Sequence, residues 1–347
     1  MNPKVWNQLA TRFRAFQLGW QTWAIIAFDL GLMLASWKLW NSRNFAAGMA
    51  AILLLSLALL HFYLILHEAT HSAVSRNSKI NNWVGNLAGW AILMPFYSRK
   101  RSHLLHHMWT GHPTGDPANL RIIKRFSVMT PKQAAQLEWI WRSWLPLLTL
   151  NDRIGMWRDP FQKINAGGQI IFYQKEIRAA YFYLLFYGLF FLFLMGTGSL
   201  VTFLTWYVPA WIIQLFLEEL TNLPHHAETP LLDEKDPALQ FYEQDRVTHS
   251  CKSLPVWSRF VLLNFNLHTA HHFFPWVPWS GLPGAHREII RFMPELEKSQ
   301  RTRNELLWSL RNRRRPLLQI MGHYFNKLPD PSYPFHAPHL EREWDFL

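Results

Sequence analysis

What most limits the fold of this chain is a set of four long apolar runs, joined two and two by connections of only a few residues. They cover approximately residues 20–40, 45–66, 180–195 and 199–217. A helix needs roughly 20 apolar residues to cross the hydrocarbon layer, and within that layer a helix satisfies its backbone inside one segment. Each run therefore predicts a membrane-spanning helix, the third being somewhat short. Residues 41–44 alone part the first two and residues 196–198 the last two, so each pair predicts a tight helical hairpin. Two hairpins return the chain to its starting side. The expected organisation is an N-terminal section 1–19, a hairpin 20–66, a polar section 67–179, a second hairpin 180–218 and a section 219–347. All three polar sections then share one face of the membrane.

Charge identifies that face. The net charge is +12, and Arg12 and Arg14 precede the first run, while Arg99, Lys100 and Arg101 follow a further apolar stretch. Cations flanking spans mark the cytosolic side and its anionic lipids; this pattern, rather than a nucleic-acid surface, accounts for the basic balance. Arg311, Arg313, Arg314 and Arg315 fit either that face or a solvated helix. Aromatic residues make up 16% of the chain, more than a soluble core of this length needs, while the mean hydropathy of −0.06 requires large parts to face water. The expected fold is thus an all-α integral membrane protein with a large cytosolic helical cap. Residues 83–97 are short for a span and contain Gly85, Gly89 and Pro95, which predicts an interfacial or re-entrant segment; residues 139–150 are a second interfacial candidate. Asp29 within the first run predicts a buried hydrogen bond between helices. The single Cys251 excludes an intrachain disulfide and a thiolate zinc site. No secretory signal pattern is seen.

Histidine carries the chemistry. Of 17 histidines, eight fall in three groups: His67 and His71 in HEATH, His103, His106 and His107 in HLLHH, and His268, His271 and His272 in HTAHH. Positions i, i+3 and i+4 project from one helix face, and neutral imidazole is a good ligand for iron, zinc and copper. Eight imidazoles exceed the four ligands of a structural zinc ion, so two ions fit the count better. Isolated histidines such as His61, His249 and His323 read as hydrogen-bonded structural residues. His225 and His226 follow the fourth run in TNLPHHAE, and one of them is expected to complete the site; Asn222 lies one turn before His226. His112 reads equally as a partner of the ligands or a bystander. Phe96, Trp109, Phe265 and Phe273 are candidates for the wall of a substrate tunnel, against a reading as plain core.

The boxes HxxxH, HxxHH and HxxHH, with HLLHHMWTGHPTGDP and HTAHHFFPWVPWSGLPGAH around the second and third, resemble those of the membrane fatty acid desaturases over roughly residues 45–290. The resemblance implies a four-helix membrane core, two irons, dioxygen as co-substrate and a separate electron donor of ferredoxin, rubredoxin or cytochrome b5 type. It implies that His67, His71, His103, His106, His107, His226, His268, His271 and His272 hold the metals, with Asn222 acting through a water. His225 and Glu228 depart from the family pattern, which keeps His225 open as the alternative ligand. No catalytic side chain beyond these is expected. The reaction implied is desaturation of an acyl chain at the cytosolic face, with hydroxylation or carotenoid ketolation as the alternative within the family. A bacterial inner membrane is expected rather than the endoplasmic reticulum because the sequence shows no retention signal or fused electron-transfer segment. HEATH also satisfies the zinc-protease pattern H-E-x-x-H with Glu68 as base, which would leave the other two boxes unused. A histidine-rich metal transporter is the non-enzymatic alternative, and the absence of paired histidines within the spans counts against it.

Overall fold

The computed structural model describes residues 1–14, 20–42, 44–121, 129–161, 164–166, 169–171 and 174–303. His323 and the basic run from Arg311 to Arg315 lie outside the described residues. The helices are α1 (Pro3–Arg14), α2 (Gln21–Trp40), α3 (Phe45–Thr70), α4 (Ser78–Ala91), α5 (Phe96–Trp109), α6 (Pro131–Arg142), α7 (Leu147–Arg158), α8 (Gln174–Gly196), α9 (Leu200–His226), α10 (His268–Phe273), α11 (Leu282–Phe292) and α12 (Glu295–Ser299). The chain is helical as expected, except that Ile164–Ala166 and Gln169–Ile171 pair as a short antiparallel ribbon, β1 and β2.

Four of these helices, α2, α3, α8 and α9, are long and apolar enough to cross a membrane. The third expected span begins earlier than its apolar run, because α8 starts at the polar Gln174. Helices α3 and α9 have 26 and 27 residues, hence lengths of about 39 and 40 Å at 1.5 Å per residue, against about 30 Å of hydrocarbon. The surplus lets their final turns, which carry His67 and His226, stand clear of the lipid.

Helix α3 is the axis of the bundle. Leu55, Leu59, Leu60, Ile65 and Leu66 are buried, and α2, α4 and α9 pack against it. Ser36 of α2 donates to the Ala51 carbonyl of α3 (2.6 Å) and accepts from the Trp206 indole of α9 (2.8 Å), joining three helices at one hydroxyl. Asp29 meets His61 at 2.8 Å, and the other His61 nitrogen meets the Phe260 carbonyl at 3.0 Å. Because that carbonyl only accepts, His61 Nε2 donates to it, and the ring and carboxyl are partnered with each other at zero exposure. The opposite extreme is α8, whose Leu185, Leu189, Leu192 and Phe193 are exposed, the pattern of a lipid-facing surface.

Residues 83–97 do not form a span. Helix α4 ends at Ala91, the chain turns through Leu93 with a positive φ of 59°, and α5 runs back. The close return requires glycine: a Cβ at Gly85 would lie 2.2 Å from the Phe96 ring. The last carbonyls of a helix lack partners within it, and here side chains supply them. Tyr187 and Tyr207 hydroxyls donate to Trp90 and Ala91, Arg153 and the Trp211 indole donate to Ile92, and Trp157 donates to Leu93, while Tyr183 donates to Asn86 one turn earlier. Part of the aromatic excess thus serves as hydrogen-bond donors to a buried helix end. The amphipathic α1 covers the other side of the site, packing Leu9, Ala10 and Phe13 on Ala270, Phe273 and Phe274.

Candidate metal centre

The three boxes arrive on three helix ends. His67 lies in the last turn of α3 and His71 caps it; α5 presents His103, His106 and His107; the short α10 presents His268, His271 and His272. His67, His71, His103, His107 and His271 bring one ring nitrogen each to within 4.8 Å of one another, and His106, His226 and His272 form a second such group. His268 joins the second group, with Nε2 3.1 Å from that of His272 and 2.8 Å from that of His226. The His107 and His272 ring centres are 4.2 Å apart, so the groups adjoin.

The outer ring nitrogens explain what the inner ones do. His106 Nδ1 lies 2.9 Å from Asp116 Oδ2, His272 Nδ1 lies 2.7 Å from Gln244 Oε1, and His226 Nδ1 faces the Val247 carbonyl at 3.4 Å. Each of these oxygens accepts, so each Nδ1 carries the proton and each Nε2 keeps its lone pair. Three ring nitrogens then converge beside His268 Nε2, a donor set suited to a cation. In the first group, His67 Nε2 and His71 Nε2 are buried without a hydrogen-bond partner, and the Nε2 atoms of His103 and His271 both lie 3.1 Å from His107 Nε2. Two nitrogens bound at right angles to an ion at about 2.1 Å would lie roughly 3 Å apart. Donor type, spacing and orphaned atoms fit a metal site.

Burial first, and neighbouring imidazoles second, hold the pKa of His71, His103, His107, His268 and His272 well below the ordinary histidine value. That of His271 falls to about 3. These rings are neutral when folded and titrate near 6.5 when unfolded, so below about pH 6.5 the unfolded chain binds more protons. Stability is therefore lost as the pH falls below about 6.5. Metal-depleted protein in detergent should show a melting temperature that falls as the pH is lowered through and below that value. A melting temperature that stays level on acidification would overturn the neutral assignment.

Other candidates fall outside the two groups. His225 is fully buried with neither ring nitrogen partnered, and it stacks on His268 at 4.5 Å rather than joining the convergence. Asn222 donates to the Tyr63 hydroxyl at 2.8 Å. His112 is a bystander, its Nδ1 accepting from the Thr114 and Gly115 backbone within its own turn. Glu68 accepts from the backbone N–H of Trp279 at 2.9 Å, and three further imidazoles stand beside His67 and His71, an arrangement unlike that of a metalloprotease.

A cavity of about 480 Å³ opens beside the centre. His103, His106, His226, His268 and Asn222 line it on the side of the centre; Leu137, Leu147, Leu148, Leu150, Ile154 and Phe265 supply apolar wall, and Arg99, Arg121, Asp152, Glu218 and Glu219 supply charged wall. Of the four aromatic residues proposed for a tunnel, only Phe265 lines this cavity; Phe96 and Phe273 are fully buried core, and Trp109 packs against Gly115. Sequence reasoning missed the outer partners Gln244 and Val247, which belong to no box. Asp116 was within the quoted Asp-Pro element, but its bond to His106 was not foreseen.

Comparison with known proteins matches residues 43–304 to the family model for fatty acid desaturases. The chain belongs to the fatty acid desaturase family. It is 24% identical over 271 residues to a chloroplastic omega-3 fatty acid desaturase of Ricinus communis, covering 73% of this chain and 55% of that protein. It is 26% identical over 247 residues to the omega-6 fatty acid desaturase, endoplasmic reticulum isozyme 2, of Glycine max (62% and 59%). An sn-2 acyl-lipid omega-3 desaturase (ferredoxin) of Helianthus annuus is 24% identical over 233 residues (61% and 48%). The chain spans about half the length of these relatives. Family membership and the four apolar helices make this a membrane protein.

Proposed function

We propose that this protein is a di-iron desaturase that places a double bond in a lipid-linked acyl chain at the cytosolic membrane face. The observation that carries this reading is the convergence of two adjoining imidazole groups beside a cavity lined in large part by apolar side chains. The spans form two hairpins, α2–α3 and α8–α9, and the remaining helices form a cap on the cytosolic side, where the cations cluster. His67, His71, His103, His107 and His271 would hold one ion, and His106, His226, His268 and His272 the other, with Asn222 acting through a water. His225 takes no ligand role.

Removing hydrogen from an unactivated methylene is beyond side chains alone, and a bound pair of irons would supply the activation of dioxygen. Desaturation takes two hydrogens from adjacent carbons. Dioxygen leaves as two waters after receiving two electrons from the substrate, two from an external donor, and two protons from the medium beyond those from the substrate. The ferredoxin named for the Helianthus relative is one donor of this class, with rubredoxin and cytochrome b5 as others. The apolar walls bind the chain and exclude water from the reacting carbons. Asp116, Gln244 and the Val247 carbonyl hold the ligand rings in one orientation.

The test compares lipids by mass spectrometry in cells expressing wild type and His271→Ala. An acyl species lighter by two hydrogens, present only with wild type, is expected. A species gaining oxygen instead would move the assignment to a hydroxylase, and an unchanged lipid profile in cells supplied with a matched donor would reject acyl lipid as substrate.

A further inference from the structure

We propose that Gln244 is a positioning residue that fixes the tautomer of His272 and ties it to α5 at His107, joining two helices that each carry ligands of both groups. This rests on the two-metal reading of the site. Gln244 is 1% exposed, in a turn of 3-10 helix, Phe241–Arg246, whose start is locked by a reciprocal cap between Gln240 and Glu243. Its two amide ends face different groups. Nε2 donates to the His107 carbonyl at 2.6 Å, and Oε1 lies 2.7 Å from His272 Nδ1. A backbone carbonyl can only accept, so the amide nitrogen must be the atom that faces it. The oxygen is thereby turned to His272, which must present Nδ1–H and keep its Nε2 lone pair for the convergence with His226 and His268.

The same turn serves a second ring, since Val247 follows it and its carbonyl faces His226 Nδ1. Two further contacts hold the turn in place. Thr248 donates to the Gln244 carbonyl at 2.8 Å. Gly111, with φ of +80°, lets the chain after the second box approach so closely that a Cβ there would meet Val247 at 2.6 Å. One uncharged side chain far from any histidine box therefore orients a ring of the second group and grips α5 at His107. Removing both polar ends would leave the His107 carbonyl without its donor and His272 free to present the other tautomer. Loss of such an outer partner weakens metal affinity by about 10–100-fold.

Wild type, Gln244→Met and Gln244→Glu of the full chain are purified, stripped of metal and titrated anaerobically with ferrous iron, counting bound ions per chain. Cobalt titration gives a spectroscopic readout of each site. Wild type should bind two ions. Gln244→Met, of similar volume but with neither polar end, should bind one normally and the other about 10–100-fold more weakly. Gln244→Glu keeps the acceptor for His272 but loses the donor to the His107 carbonyl, so its second ion should bind less tightly than in wild type and more tightly than in Gln244→Met. Normal binding of both ions by Gln244→Met overturns the proposal, as does second-ion binding by Gln244→Glu no tighter than by Gln244→Met. Should Gln244→Met not fold, Gln244→Glu decides against wild type, and undiminished binding of its second ion overturns the proposal. Fewer than two ions in wild type overturns the two-metal reading itself.

Discussion

Alanine at His71, His107 or His271 is expected to reduce desaturated product to the level of cells lacking the protein. All three belong to the first imidazole group, and His107 and His271 stand with Nε2 atoms 3.1 Å apart at its centre. Losing one neutral donor leaves a gap that no neighbour fills, since His67 and His71 already direct their own nitrogens at the same point. The effect should exceed the roughly 100-fold loss typical when only an outer partner is removed. Product measured by lipid mass spectrometry, together with iron per chain, checks it. His112→Ala is the control: its ring bonds the Thr114 and Gly115 backbone and the backbone at Glu234 and Asp236 rather than either imidazole group, so metal content should be retained. Undiminished product in all three variants would sink the metal reading of the first group.

The parts of this site legible in the sequence are those written at helical spacing. Boxes with i, i+3 and i+4 histidines announce convergent rings because one helix face can hold them. The end of α3 was legible because the second apolar run stops at residue 66 and His67 follows it directly, whereas the fourth run stops at 217 and His226 lies nine residues further on. Asp29 was legible in kind, as a costly residue in lipid, but its partner His61 lies 32 residues away and belongs to another helix. Gln244 was not legible at all. Its bonds reach His272 and His107, 28 and 137 residues distant, and a lone glutamine in a polar loop has no local signature. The aromatic tunnel candidates failed for a related reason. Apolarity near a box marks burial, and only tertiary packing decides whether the buried ring lines a cavity, as Phe265 does, or fills the core, as Phe96 and Phe273 do.

Arg153→Met is expected to destabilise the protein by about 3–5 kcal/mol, the range for breaking one side of a buried ion pair. Arg153 and Glu218 meet at 2.6 Å, with side-chain exposures of 3% and 4%. The arginine also donates to the Ile92 carbonyl at the buried end of α4, so it joins α7, α9 and α4. Methionine fills most of the space but leaves Glu218 with the Gln214 amide at 2.7 Å and the charge of Arg99 beyond ion-pair distance. The remaining carboxylate also lines the cavity, so the damage falls on the wall that would hold the acyl chain. Thermal unfolding in detergent should show a drop on the order of 10 °C for the single variant. Arg153→Met combined with Glu218→Gln removes the stranded charge and should recover most of that loss, because the cost lies in the unpaired carboxylate rather than in the absence of attraction. A single variant as stable as wild type would mean that water reaches Glu218, and would remove the pair from any role in holding the cavity wall.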